Sequence, residues 1–125
     1  MPLYPSHWPR LLSVVFGLVL VACSTTATLT PISGPMSKTG VHEIEAKIEG
    51  IMGNSGRLTF TLPDGEFVSG EWVAVMGANH KGAATAHGNR GSIFDIEFDC
   101  DSTAHGIGKA TDNRGNTYRV LVRGV

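Results

Sequence analysis

The chain has 125 residues, with 10 Lys and Arg against 11 Asp and Glu and a formal net charge of −1. So even a balance excludes the basic surface needed to grip a nucleic-acid backbone electrostatically. The length suits one domain, and two cysteines cannot supply a disulfide framework.

The first ten residues are polar and turn-rich, with Arg10 as their one charged side chain, and residues 11–22 are apolar except for Ser13 and Gly17. A helix of twelve such residues rises about 18 Å, well short of the roughly 30 Å of hydrocarbon in a bilayer. A charged end followed by a short apolar core and small residues is the layout of a secretory signal. A buried core helix would carry a polar face, and this run has none.

The run ends in Leu20-Val21-Ala22-Cys23, which resembles the lipobox of bacterial lipoproteins. That resemblance implies cleavage just before Cys23, a diacylglycerol on its sulfur and acylation of the new amino group. Each buried methylene adds about 0.8 kcal/mol, so two or three chains make a firm membrane anchor. The competing use of Cys23 is a disulfide with Cys100. Ser24 stands where an inner-membrane retention signal carries aspartate. In a Gram-negative host the resemblance therefore implies the outer membrane, facing the periplasm.

Residues 24–40 are rich in Ser, Thr, Pro and Gly without apolar periodicity, and read as a flexible tether. At about 5–6 Å times the square root of the residue number, its mean reach is roughly 20–25 Å. Residues 41–125 then form the domain, where apolar and polar residues alternate with period two. Ile44, Ala46 and Ile48 oppose Glu43, Glu45, Lys47 and Glu49. Leu58, Phe60 and Leu62 alternate with Arg57, Thr59 and Thr61. Phe94, Ile96, Phe98 and Cys100 oppose Asp95, Glu97, Asp99 and Asp101. About seven strands follow, at 41–50, 57–62, 66–76, 82–87, 92–100, 105–111 and 117–123.

Turn signals separate the strands: Gly53-Asn54-Ser55-Gly56, Pro63-Asp64-Gly65, Gly88-Asn89-Arg90-Gly91 and Asp112-Asn113-Arg114-Gly115-Asn116. Residues 87–98 and 111–122 form a weak repeat that shares the Asn-Arg-Gly turn and an inward trio, Phe94, Ile96, Phe98 against Tyr118, Val120, Val122. The expected fold is all-β, a small antiparallel meander closed as a barrel or roll, or packed as a two-layer sandwich. Small residues at Gly82, Ala83, Ala84, Ala86, Gly106, Gly108 and Ala110 favour the tighter curvature of a barrel.

Few residues carry credible chemistry. The stripe Asp95, Glu97, Asp99, Asp101 spaces its carboxylates about 6.6–7 Å apart on a strand, too far for neighbours to share one calcium unaided. It reads as a solvated face balanced by Lys109, Arg119 or Arg123. His42, His80, His87 and His105 have no zinc-motif spacing, and no Gly-x-Ser-x-Gly elbow accompanies them. Gly106-Ile107-Gly108-Lys109-Ala110 lacks the rest of a phosphate loop. No metal, cofactor or catalytic residue is expected, and Cys100 reads as a buried, inert thiol. Trp72 is either core or an exposed aromatic. With His80, His87 and His105, which fall in or beside loops, it makes up the candidate binding surface.

Three segments, Thr61-Leu62-Pro63-Asp64-Gly65-Glu66, Gly70-Glu71-Trp72 and the stretch 106–120, resemble small outer-membrane lipoproteins of Gram-negative bacteria. The resemblance implies an anchored envelope protein and brings no activity or site residues with it. The expected role is non-enzymatic, binding or bracing an envelope protein or peptidoglycan. Inhibition of a wall-degrading enzyme such as lysozyme is the alternative, by analogy with inhibitor lipoproteins of similar size.

Overall fold

Alternation of period two builds eight antiparallel strands in a computed structural model, which describes residues 24–51, 53–75 and 81–124. They are β1 (Ser24–Ser33), β2 (Ile44–Glu49), β3 (Ser55–Thr61), β4 (Phe67–Ala74), β5 (Lys81–Gly88), β6 (Ile93–Cys100), β7 (His105–Asp112) and β8 (Thr117–Arg123). Each strand pairs with its neighbours in the chain, and β1 also pairs with β8, placing Ala27 beside Val122 and Leu29 beside Val120. The meander thus closes as a barrel with no free edge.

The tether expected at 24–40 is corrected by this closure. Ser24–Ser33 is the closing strand and Pro35–Lys38 is a single 3-10 turn, so residues 24–33 belong to the barrel and make an eighth strand beside the seven expected. The physical reason lies in the threonines. Thr25, Thr26, Thr28 and Thr30 are β-branched and favour an extended chain. Thr25, Ala27 and Leu29 point inward and are buried, and the Thr25 hydroxyl donates to the Gly124 carbonyl. Pro31, which has no N–H to give a ladder, sits where the pairing with β8 shifts register.

The inner face is filled with side chains. Tyr118, Phe94, Leu29, Ile48, Leu58 and Ile96 are among the largest fully buried residues. Phe94 sits between Phe60 and Tyr118, with ring centroids 4.9 and 5.5 Å apart, and Trp72 meets Phe98 edge-on at 5.7 Å. Burying each such side chain stabilises by roughly 1.5–3 kcal/mol. An eight-stranded barrel is just wide enough for side chains to fill or for one small ligand. Here side chains fill it.

Size complementarity explains the small residues of β5 and β7. Phe98 has Gly82 on one side and Gly108 on the other, and Ile96 has Ala84 and Ala110. A Cβ on Gly82 would enter the Phe98 ring, and one on Gly108 would strike the Glu97 carbonyl oxygen. Gly108→Ala is therefore expected to cost about 1–3 kcal/mol through overpacking. Urea denaturation reads this as a lower midpoint, and an unmoved midpoint would mean that β6 and β7 part freely.

The outer wall is polar. Glu45, Lys47, Arg57, Glu71, Thr85, Asp95, Glu97, Lys109 and Arg119 all face solvent. An apolar inside and a charged outside are the inverse of a membrane-spanning barrel. Among the described residues, no helix is long and apolar enough to cross a membrane.

Candidate functional site

One end of the barrel carries a belt of polar contacts built from three hairpin turns of one design. They cover 62–66, 88–92 and 112–116. In each the first and fifth residues are joined by a backbone hydrogen bond, and a glycine with positive φ (Gly65 94°, Gly91 96°, Gly115 87°) takes the fourth place. A three-residue loop closed by a left-handed residue is a common hairpin connection, and glycine fills that place without strain. The fifth residues, Glu66, Ser92 and Asn116, are all buried.

Each turn is tied to the one before it. Asn89 accepts from the Phe67 amide and donates its own amide to the Phe67 carbonyl, and Asn113 does the same to Ile93. Arg90 Nη1 donates to the Asp64 carbonyl at 2.8 Å, and Arg114 Nη2 to the Arg90 carbonyl at 2.9 Å. Asn116 Oδ1 accepts from the Met36 amide at 2.7 Å, bringing the β1–β2 connection into the belt.

Two carboxylates hold this end together from within. Glu66, 0% exposed, accepts from the Arg90 and Ser92 amides at 2.9 and 3.0 Å and from the Ser92 hydroxyl at 2.6 Å. Arg114 approaches to 3.7 Å. Burial alone would raise this carboxyl's pKa, but the Ser92 and Arg90 hydrogen bonds and the Arg114 charge together hold it below its usual value. Asp112 is held below its usual value in the same way: burial opposes ionisation, and bonds from Asn116, Tyr118 and Arg114 outweigh it. The Tyr118 hydroxyl, buried and bonded to Asp112, is pushed well above its ordinary pKa. Both carboxylates have their acceptor sites taken by the protein's own donors. They brace the turns.

The residues expected to form one binding surface are not brought together. Trp72 is 3% exposed and its indole N–H donates to the Glu49 carbonyl at 2.9 Å, which settles it as core. His87 lies on the outer wall near the belt, in one row with Ser69 and Ile93, while His105 opens β7 at the opposite end, beside Arg123. His80 lies outside the described residues, as do Cys23 and the whole signal segment. His42 is exposed beside the start of β2.

The acidic stripe breaks up on inspection. Asp95 accepts from Thr85 at 3.3 Å, Glu97 faces Lys109 across the ladder, and Lys81 lies 4.0 Å from Asp99. Lys81 and Thr85 on β5 therefore balance the stripe together with Lys109, and Arg119 and Arg123 lie one strand further away. Asp101 leaves the stripe altogether. It caps its own turn, accepting from the Thr103 amide and hydroxyl and from the His105 amide. Among the described residues no group of three metal-binding side chains occurs.

Cys100, expected to be buried, is half-buried because it ends β6 at the open rim. Burial and the nearby Asp101 and Asp99 carboxylates push its thiol pKa up, which disfavours the reactive thiolate.

The wall also exposes apolar side chains, Ile32, Val73 and Val75 and two pairs on the barrel's strands. Phe67 and Ile93, 48% and 42% exposed, stand near the belt on either side of the β5 strand that carries His87. Ile107 and Leu121 pair across β7 and β8 nearer the other end. The repeat Asn-Arg-Gly was the sequence signal for the belt. Glu66 went unnoticed, although a charged residue in step with the inward Val68 and Trp72 marks a buried carboxylate. The fold and its fittings define a closed, side-chain-filled antiparallel barrel. Compared with models of known protein families, with curated proteins and with solved structures, the chain matches none of them.

Proposed function

We propose that this chain is a lipid-anchored envelope protein whose rigid barrel binds or braces a partner protein through its outer surface. The supporting observation is that the described inward side chains, Phe60, Phe94, Tyr118, Trp72 and Phe98 among them, pack against one another, which turns attention to the outer surface. The area Phe67, His87 and Ile93, stiffened by the belt beside it, is the partner-binding surface in this reading. The reading assigns no reaction to the chain. The membrane enters it through lipid on Cys23, and the outer membrane, facing the periplasm, through Ser24 after the lipobox.

Two measurements test it. Cys23→Ser is expected to abolish acylation and leave an uncut precursor, read by intact mass of the chain isolated from membranes. An unmodified Cys23 in the unsubstituted chain would end the anchoring part of the reading. A photo-crosslinker placed at Phe67 is expected to capture a single envelope protein, with capture lost on Ile93→Asp. Capture of peptidoglycan fragments alone, or of nothing, refutes a protein partner.

A further inference from the structure

The strand that begins at Ser24 leaves no spacer after Cys23, since consecutive Cα atoms lie only about 3.8 Å apart. If Cys23 carries lipid, as proposed above and as this inference assumes, the barrel must rest against the bilayer. The question becomes which face touches it. The end of β1 that follows Cys23 lies beside the end of β8, where the Thr25 hydroxyl bonds to the Gly124 carbonyl and Ala27 pairs with Val122.

The outer face of β7 and β8 combines apolar and basic side chains. Its rows read His105 with Arg123, Ile107 with Leu121, Lys109 with Arg119, and Thr111 with Thr117. Two apolar side chains, 65% and 43% exposed, thus lie between basic ones, and the face holds no carboxylate. Apolar residues flanked by Lys and Arg are what a surface resting in the headgroup region of a bilayer presents. Each Lys or Arg near an anionic membrane adds about 1 kcal/mol. β1, on one side of this face, adds the uncharged, half-buried Thr30 beside Arg119, while Thr28 beside Leu121 is buried. β6, on the other side, carries Asp95, Glu97 and Asp99, which anionic headgroups repel, so the stripe marks the edge of the face.

We infer that the β7–β8 face, with Leu121 at its middle, Ile107 at the edge where Asp99 of β6 stands beside it, and Lys109, Arg119 and Arg123 around them, is a seat on an anionic phospholipid surface. Such a seat turns β4 to β6, with Phe67 and His87, away from the membrane and towards a partner.

The test uses the full chain isolated from membranes, with the state of Cys23 read by mass. Ile107→Trp and, separately, Ile93→Trp are reconstituted in phosphatidylethanolamine vesicles containing phosphatidylglycerol brominated in its acyl chains. Emission of the unsubstituted chain is subtracted. Bromine is expected to quench the Ile107→Trp signal several-fold more than the Ile93→Trp signal. Adding Arg119→Glu and Arg123→Glu is expected to remove that difference while leaving the mass at Cys23 unchanged. Equal quenching at the two positions in a chain with acylated Cys23 overturns the seat and leaves the anchor standing. An unmodified Cys23 overturns the anchor instead. In that case stronger quenching at position 107 still supports the seat, and equal quenching overturns it.

Discussion

Removal of residues 24–33 is expected to abolish folding of the barrel. A chain starting at Ser24 should give a cooperative thermal transition and dispersed amide resonances, and one starting at Gly34 should give neither. The removed segment pairs with β2 from Ser24 beside Glu49 to Leu29 beside Ile44, and with β8 on its other side. Its loss uncovers two strand edges at once, and with them the backbone groups those ladders satisfy. It also takes Ala27 and Leu29, each 1% exposed, out of the core. A Leu29 side chain alone accounts for about 1.5–3 kcal/mol of burial. Added to two opened ladders, that is enough to overwhelm a domain stable by only about 5–15 kcal/mol. The opposite outcome, equal melting of the two chains, would restore the tether and leave the barrel to be closed in some other way.

β2, β3 and β6 were legible because their inward residues contrast sharply with their outward ones, as with Ile44, Ala46 and Ile48 against glutamates and a lysine, and the other four were marked off by turn signals and the repeat. β1 offered no such contrast. Its inward residues include Thr25 and Ala27, the alternate ones are Thr26, Thr28 and Thr30, of which Thr28 is buried too, and Pro31 lies near its end. Composition therefore pointed to a linker, and only the β-branched threonines hinted at extension. Closure is also a global property. It depends on β1 meeting β8 across nearly the whole chain, which no local pattern records.

The candidate surface was less legible for a related reason. Histidines near turns were assembled as though all loops shared one rim, but in an up-and-down barrel alternate connections lie at opposite ends. His87 precedes a belt turn, and His105 follows a turn at the far rim. Trp72 falls in phase with Val68 on the inner face, so its burial was readable from parity alone. The basic character of β7 and β8 was hidden because Lys109, Arg119 and Arg123 are far apart in sequence and meet only through the ladder.

Glu66→Ala is expected to be the most damaging single substitution at the belt. It strips a buried carboxylate from the Arg90 and Ser92 amides and the Ser92 hydroxyl and leaves those donors facing one another. Removing one member of such a buried charged arrangement costs about 3–5 kcal/mol. For a barrel of this size that is a fall in Tm of more than roughly 10 °C. Glu66→Gln keeps the volume and one acceptor, so its cost should be smaller. Arg114→Ala removes a half-exposed guanidinium 3.7 Å away and its hydrogen bond to the Arg90 carbonyl, for which about 1–2 kcal/mol is expected. The pH dependence separates the carboxylate from mere packing. The folded pKa of Glu66 lies below its ordinary value, so its contribution is fully present above about pH 4.3, the unfolded value, and is lost as pH falls through the folded one. Asp112 follows the same sign and adds to the acid limb. Thermal melts of the unsubstituted barrel and of Glu66→Gln should therefore converge as the pH is lowered below 4.3. Curves that stay parallel would show that the carboxylate's charge contributes nothing and that Glu66 acts through its shape alone.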